Sequence, residues 1–250
     1  MTKPYSVLMG KAVRYIARLR GGGSALPGLF VEKIDRGFVA DTLKQLPQGI
    51  VLISGTNGKT TTTKMVVELL ESQGLKVFTN RTGSNFSRGV AAALLGEVTA
   101  RGKLDADIAV LELDEAHAVH FVSSIAPRYS LLLNVMRDQL DRFGEIDRTA
   151  QMLHTIAAIT TDGVIINRDD PRISSTAFIK SLTAPIRSFG VSPELLHQFP
   201  SDDNLHAGST KSGHHNPLST DDTNLEHIDE QTATISYGGK LTAVRNYPIS

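Results

Sequence analysis

The chain has 250 residues, which is enough for one large domain or two small ones. Its 26 Lys and Arg residues balance 26 Asp and Glu residues, and this neutrality argues against nucleic acid as the main partner. The chain has no cysteine, so it can form neither a disulfide nor a thiolate metal site. The sequence also lacks a long apolar run and a signal-peptide pattern, so we expect a cytoplasmic protein.

Residues 1–48 are predicted to form a helical segment with a glycine-rich loop. A helix is expected over Tyr5–Leu19. One apolar face of this helix consists of Leu8, Tyr15, Ile16 and Leu19. We favour packing of this face on the rest of the domain; contact of the basic, amphipathic helix with an anionic membrane is the alternative. A loop is expected from Gly21 to Gly28, and a short helix over Val39–Leu46.

Between residues 49 and 190, apolar strands alternate with helical segments. The predicted strands are Ile50–Ile53, Lys76–Thr79, Ile108–Leu113, Tyr129–Val135, Gly163–Asn167 and Pro185–Phe189. The predicted helices are Lys59–Ser72, Gly89–Ala100, Ala116–Ser123, Arg148–Ile159 and Arg172–Leu182. This alternation is typical of an α/β fold, a mostly parallel sheet with helices on both faces. Ligands of such folds bind beyond the carboxyl ends of the strands, where the polar motifs of this chain fall.

A glycine loop joins the first predicted strand to the following helix. It consists of Gly55, Thr56, Asn57, Gly58, Lys59, Thr60 and Thr61. This arrangement is typical of a nucleotide phosphate-binding loop, because glycines let backbone N–H groups surround an anion at a helix N-terminus. We expect these residues to bind the nucleotide, with Lys59 reaching the outer phosphates and the Thr60 hydroxyl holding Mg²⁺. An ordinary strand-to-helix turn is the alternative.

Two further polar stretches follow predicted strands. Asn80–Gly89 ends a strand and opens a helix, and its Asn85 and Arg88 are candidate nucleotide contacts; an ordinary polar connection is the alternative. Glu112 emerges from another apolar strand and is the first candidate for a Mg²⁺ ligand, because Mg²⁺ prefers one or two carboxylates plus water. Asp114 is expected to point the same way as Glu112 while the strand persists, and capping of the next helix is its alternative role.

The fourth polar stretch runs from residue 134 to 144 after another apolar strand. Its candidates for positioning metal, water or nucleotide are Asn134, Asp138 and Gln139. Of these, Asn134 is our candidate nucleotide contact. Asp141 and Arg142 can instead form a structural ion pair.

Residues 191–250 differ in character from the rest of the chain. Residues 191–235 are rich in Ser, Asp, Asn, Thr and His, which predicts an exposed insert or linker. A solvated loop is favoured over a metal site for the histidines of this segment. A hairpin around Gly238-Gly239 is expected to follow, at the end of an incomplete central domain.

Taken together, the motifs resemble the central ATPase domain of the Mur ligases. The resemblance rests on four motifs: the glycine loop, Glu112 at a strand end, Asn134-Val135-x-x-Asp138-x-Leu140-Asp141-Arg142, and Asn167-x-Asp169-Asp170. It narrows to the MurT family, the synthetase subunits of lipid II isoglutaminyl synthase. The narrowing stretches are Gly21–Gly28, Asn80–Asn85 and Arg137–Gly144.

The resemblance implies a phosphate-binding-loop domain over residues 49–190 and a specific reaction. With ATP and Mg²⁺, such a subunit activates the α-carboxylate of the stem-peptide D-glutamate of lipid II as an acyl phosphate. Ammonia from a GatD-type glutaminase partner then gives D-isoglutamine. Lys59 and Glu112 take the catalytic roles, and Thr60 and Glu112 hold the metal. The lipid II substrate also implies work at the inner face of the membrane.

Several departures refine the resemblance. Many Mur ligases have a metal-binding His where Gln139 stands and a carbamylated Lys, but no lysine lies between Lys103 and Lys180 here. These features favour the MurT type over an amino-acid-adding Mur ligase or a folylpolyglutamate-synthase-like enzyme. MurT proteins commonly carry a four-cysteine zinc ribbon, so no structural zinc is expected in this cysteine-free chain. The family's C-terminal domain is not among these residues, which makes a non-catalytic nucleotide-binding scaffold the third hypothesis.

Overall fold

A single nine-stranded sheet organises the part of the chain that the computed structural model describes, residues 4–19, 25–80, 87–136, 145–195, 198, 222–229, 232–238 and 240–245. The strands are β1 (Ile50–Ser54), β2 (Val77–Thr79), β3 (Ile108–Glu112), β4 (Tyr129–Leu132), β5 (Gly163–Asn167), β6 (Ile186–Val191), β7 (Thr223–Ile228), β8 (Thr232–Tyr237) and β9 (Lys240–Arg245). The helices are α1 (Pro4–Leu19), α2 (Ala25–Ile34), α3 (Phe38–Leu43), α4 (Lys59–Ser72), α5 (Ser87–Glu97), α6 (Glu115–Val122), α7 (Glu145–Ile159) and α8 (Thr176–Ile179).

The sheet order is β2-β3-β1-β4-β5-β6-β7-β8-β9. All pairs from β2 to β7 are parallel, and β8 and β9 extend the sheet antiparallel. Alternate residues of β1 enter two separate apolar clusters, because successive side chains of a strand point to opposite faces. Leu52 joins the larger cluster, whereas Ile53 packs with Val67 of α4 on the other face. The predicted α/β fold, with helices on both faces of a mostly parallel sheet, is therefore confirmed.

Most predicted elements between residues 49 and 190 are present with small shifts at their ends. The helix predicted over Arg172–Leu182 is reduced to α8, which the Ser175 side chain caps by accepting a hydrogen bond from the Phe178 N–H. The hairpin predicted around Gly238 is formed by β8 and β9. The boundary placed at residue 190 stays a prediction, although the sheet continues beyond it.

The linker predicted over residues 191–235 is wrong for β7, which pairs in parallel with β6. A buried guanidinium ties this strand to the sheet. Arg168 donates hydrogen bonds to Asp222, just before β7, at 3.2 Å and to the Val191 carbonyl at 3.0 Å. The polar composition predicted exposure to solvent, but Arg168 and Asp222 are buried and bond to each other.

The loop predicted from Gly21 to Gly28 is wrong for its second half, which forms the first turn of α2. Proline is tolerated there, because the first-turn N–H groups have no partner within the helix. Gly28 lies against α5, where an added Cβ would stand 2.1 Å from the Arg88 carbonyl oxygen. The glycine thus serves a close helix–helix contact rather than a turn.

Helix α1 packs through a different face from the one predicted. Val7 and Gly10 are buried, whereas Leu8 and Tyr15 of the predicted packing face are 56% and 66% exposed. The packing prediction is therefore wrong for Leu8 and Tyr15; the side chains of Ile16 and Leu19 lie outside the described set. No helix among the described residues is long and apolar enough to cross a membrane.

A cavity of about 410 Å³ separates α2 and α3 from α6, with Glu32, Arg36 and His120 in its lining. Burial raises the pKa of Glu32, and the neighbouring Arg88 and His120 side chains oppose this shift. The Arg88 Nε lies 4.0 Å from a Glu32 carboxylate oxygen. The polar lining therefore includes a carboxylate whose charged form is disfavoured despite its cationic neighbours.

We predict that Gly28→Ala destabilises the protein by about 1–3 kcal/mol, because the methyl group would collide with α5 backbone that cannot move alone. Chemical denaturation measures this change. Gly37→Ala is the matched control, since its methyl group would meet nothing nearer than 3.5 Å. Equal stability of Gly28→Ala and the wild type would contradict the close helix contact.

We also predict a pH-dependent effect of Glu32→Gln. A carboxyl group whose pKa is raised by folding costs stability as pH rises from its ordinary pKa of 4.5 through the raised value. Glutamine does not ionise, so the variant should gain stability relative to the wild type over that rise. Denaturation at several pH values measures the difference, with the exposed Glu68→Gln as control. A difference that is independent of pH would contradict the prediction.

Candidate nucleotide-binding site

The candidate site lies where three neighbouring strands end. Strand β1 pairs in parallel with β3 on one side and β4 on the other. Ile53 stands opposite Glu112, and Ser54 stands opposite Leu132. The glycine loop after β1, the acidic end of β3 and the Asn134 segment after β4 are therefore brought to one edge, as predicted.

Two glycines shape the loop between β1 and α4. Gly55 has φ +135°, and an added Cβ would lie 3.0 Å from the Asn134 nitrogen and 3.1 Å from its oxygen. Gly58 has φ +84° and precedes the first residue of α4, with no side-chain cap on the helix. The first-turn N–H groups of an uncapped helix N-terminus favour an anion. The loop therefore has the backbone form that phosphate binding requires.

Asn134, two residues after β4, holds this loop in place with hydrogen bonds. Its Oδ1 accepts a hydrogen bond from the Asn57 N–H at 2.9 Å, and its Nδ2 donates to the Asn57 carbonyl at 3.1 Å. The Thr56 N–H donates to the Asn134 carbonyl at 3.0 Å. The predicted nucleotide contact of Asn134 stays a prediction; what the structure gives it is a positioning role on the loop.

Lys59 is buried with its ammonium group against the loop. Its Nζ donates to the carbonyl oxygens of Gly55 at 2.6 Å and Thr56 at 3.0 Å. It also lies 3.2 Å from Asp114 Oδ1. Asp114 occupies the position before α6 but makes no side-chain cap bond, so the pairing with Lys59 replaces the capping alternative. Sequence alternation placed Asp114 on the Glu112 side but did not identify Lys59 as its partner.

Thr60 and Glu112 form the second polar pair of the site. The Thr60 hydroxyl donates to Glu112 Oε1 at 2.8 Å, although the two residues are 52 positions apart. Glu112 is buried, and the Asn80 side chain holds the Glu112 backbone in place. The Asn80 amide accepts from the Glu112 N–H at 3.0 Å and donates to its carbonyl at 2.8 Å, extending the pairing of β2 with β3.

The Thr60–Glu112 pair has the ligand chemistry for Mg²⁺. Hydroxyl and carboxylate oxygens are hard ligands, and Mg²⁺ usually keeps several waters and substrate phosphates beside one or two carboxylates. Within the described ranges, no group of three or more His, Cys, Asp or Glu side chains is placed to hold a metal ion. Two such oxygen ligands fit a Mg²⁺ ion whose other ligands are waters and phosphate oxygens, and the Mg²⁺ site stays a prediction.

Asp170, part of the Asn167-x-Asp169-Asp170 motif, holds the backbone next to Asn134 in place. Its carboxylate accepts hydrogen bonds from the N–H groups of Val135 at 2.6 Å and Arg172 at 2.9 Å. Burial raises the pKa of Asp170, and these backbone hydrogen bonds oppose the shift. The motif thus anchors the segment that follows Asn134.

The remaining predicted site residues are less constrained. Thr61 lies exposed in the first turn of α4, and Arg88 lies in the first turn of α5 with its side chain 59% exposed. Asn85 and the residues 137–144, with Asp138, Gln139, Asp141 and Arg142, fall outside the described residues. Nucleotide contacts of all these residues stay predictions.

Comparison with known proteins places the chain in a family. The Mur ligase middle domain matches residues 53–228. The MurT subunit of lipid II isoglutaminyl synthase (glutamine-hydrolyzing) from Streptococcus pneumoniae is 36% identical over 74% of this chain and 40% of its own length. The corresponding Staphylococcus aureus subunit is 34% identical over 68% of this chain and 38% of its own. UDP-N-acetylmuramoylalanine–D-glutamate ligase of Bordetella parapertussis is 35% identical over 56% of this chain and 26% of its own length.

Solved structures share the fold at low identity. MurF ligase from Thermotoga maritima, in complex with ADP, superposes with a TM-score of 0.59 and 20% identity over 83% of this chain and 42% of that chain. E. coli FolC, in complex with DHPP and ADP, superposes with a TM-score of 0.52 and 15% identity over 85% of this chain and 52% of that chain.

The chain spans about two fifths of the length of the MurT subunits that it matches. Over residues 53–228, however, the family match takes in every strand from the end of β1 to β7. It also includes the whole of the described site. The chain therefore belongs to the Mur ligase family, and residues 53–228 form its Mur ligase middle domain.

Proposed function

We propose that this chain is the ATP-binding part of a MurT-type, ATP-dependent amide ligase of peptidoglycan biosynthesis. The observation that carries the proposal is the meeting of Lys59, Thr60 and Glu112 at the ends of two paired strands. The similarity to MurT subunits over about 70% of the chain supports the amide-forming class.

In this proposal the loop N–H groups and Lys59 bind the ATP phosphates. To reach them, the Lys59 ammonium exchanges its contacts with the loop carbonyl groups and Asp114 for phosphate oxygens. Thr60 and Glu112 would hold Mg²⁺, which would neutralise phosphate charge when bound. Fixed positive charge at this position stabilises the charge that develops on the transferring γ-phosphoryl group.

The reaction we propose forms a carbon–nitrogen bond in two steps. A carboxylate oxygen of the D-glutamate in the lipid II stem peptide attacks the γ-phosphorus, and ADP leaves. The nitrogen of ammonia then attacks the acyl carbon, inorganic phosphate leaves with the C–O electron pair, and a proton is lost to give D-isoglutamine. A GatD-type glutaminase would supply the ammonia, and the lipid substrate would bring the protein to the inner face of the membrane.

We predict that Lys59→Ala weakens Mg-ATP binding at least about tenfold, because charge-assisted hydrogen bonds to phosphate are lost. Titration calorimetry or a fluorescent ATP analogue measures the affinity. Lys64→Ala is the matched control, since Lys64 is an exposed lysine on the same helix. Equal affinities of the wild type and Lys59→Ala would refute the phosphate-binding role of the loop.

We predict that Thr60→Val removes most of the dependence of ATP affinity on Mg²⁺, because the hydroxyl ligand is lost while the branched shape is retained. Thr60→Ser keeps the hydroxyl and should retain that dependence. The measurement compares ATP affinity with and without Mg²⁺ for each variant. If Thr60→Val keeps the full Mg²⁺ dependence, Thr60 is not a metal ligand.

We predict amidation of lipid II when the protein expressed from the whole coding frame around these residues is supplied with a GatD-type glutaminase, glutamine and Mg-ATP, detected as D-isoglutamine by mass spectrometry. ATP turnover should depend on ammonia and not on an added amino acid. Turnover that requires D-glutamate instead would favour an amino-acid-adding ligase, the class named for the Bordetella relative. Intact Mg-ATP binding without any amidation would leave a nucleotide-binding scaffold and contradict the ligase.

A further inference from the structure

Helix α1 has a buried face that holds it on the domain. Gly10 lets the helix approach closely, since an added Cβ would lie 2.4 Å from a Val31 methyl group of α2. The Ser6 hydroxyl donates to Asp35 at 2.9 Å, and the Lys11 ammonium donates to the Val98 carbonyl at 2.5 Å. These contacts fix which side of α1 turns outward.

The opposite face of α1 is apolar and exposed. It consists of Tyr5, Leu8, Met9, Ala12 and Tyr15. The spacing of three or four residues places these side chains on one side of the helix over three turns. The described residues contain nine exposed large apolar side chains, and four of the nine lie on α1. We call these five residues the outer face of α1.

The charge of the sequence segment that contains α1 is one-sided. Residues 1–31 contain five basic residues and no acidic residue. The basic residues are Lys3, Lys11, Arg14, Arg18 and Arg20. All 26 acidic residues follow from Glu32 onward, against 21 basic ones. The neutral net charge of the chain therefore conceals a strongly basic first segment.

We propose that the outer face of α1 docks on the surface of a membrane that contains anionic lipids. An amphipathic helix lies in the interface with its apolar side chains among the upper acyl chains, and basic residues attract anionic headgroups. Tyrosine suits this position, because its ring is apolar and its hydroxyl reaches water or headgroups. The inference stands independently of the proposed ligase activity, although a lipid substrate would be reached from the same surface.

The charge distribution favours lipid over a second copy of the chain. A symmetric contact between two outer faces would bring two basic segments together, and like charges at close range oppose association. An anionic bilayer instead complements the basic segment and accepts a convex apolar face without a shaped groove. The apolar and electrostatic contributions therefore act in the same direction.

The first test is flotation of the protein with phospholipid vesicles. We expect binding to phosphatidylcholine vesicles with about 30 mol% phosphatidylglycerol to exceed binding to pure phosphatidylcholine at least about tenfold at low salt. The double variant Leu8→Gln/Tyr15→Gln should lose at least about tenfold in affinity. The control is Leu241→Gln on β9, because Leu241 is 70% exposed but lies outside α1. It should bind like the wild type.

The second test uses fluorescence. The chain has no tryptophan, so Tyr15→Trp introduces a single indole at the outer face. We expect a blue shift of its emission with the anionic vesicles and none with the neutral ones. Unchanged thermal unfolding and Mg-ATP affinity of each variant verify that the fold is intact.

Three results would overturn the proposal. The first is no vesicle binding by the wild type, and the second is equal binding by wild type and Leu8→Gln/Tyr15→Gln. The third is a dimer in sedimentation equilibrium that Leu8→Gln/Tyr15→Gln dissociates while neither protein binds vesicles. That result would assign the outer face to a second copy of the chain.

Discussion

The parallel pairing of β1 with both β3 and β4 is the constraint on which the site depends. Parallel strands end at the same edge of a sheet, so three distant segments of the chain become neighbours there. The register then sets the contacts: Ile53 opposite Glu112 brings the carboxylate beside the helix that starts after the loop. Asn134 reaches back from the β4 side and fastens the loop with its own amide. A shift of one residue in either pairing would turn these side chains to the other face.

The polar side chains at this edge of the sheet form hydrogen bonds and an ion pair with one another. These contacts allow a charged lysine to be buried there. A lysine ammonium that is mostly buried would be costly without partners. Lys59 finds two carbonyl oxygens and Asp114, all at or near the loop. Thr60 and Glu112 likewise bond to each other. In the proposed ATP complex, phosphate oxygens would replace the present partners of the Lys59 ammonium. A Mg²⁺ ion would replace the hydrogen bond between Thr60 and Glu112.

The two N-terminal helices differ in how they contact the rest of the domain. Helix α2 reaches α5 closely because Gly28 has no side chain to block the Arg88 carbonyl. Helix α1 then lies on α2 and α5 through Val7 and Gly10, and this packing leaves its apolar outer face without a partner in the described chain. The buried Ser6–Asp35 hydrogen bond adds a polar reference point that sets the rotation of α1. The surface property of the helix thus follows from its internal contacts.

The sequence by itself determined the α/β alternation, the glycine loop between a strand and a helix, and the candidates Lys59, Thr60 and Glu112, because period and motif spacing are local signals. Only the tertiary structure decided which partners those residues have. The pairings Lys59–Asp114, Thr60–Glu112 and Asn134–Asn57 join residues between 52 and 77 positions apart, and strand register brings them together. The same holds for Gly28 and α1. A glycine has the same sequence signature in a turn and in a helix contact, and an amphipathic helix does not specify which of its apolar residues face inward until its neighbours are in place.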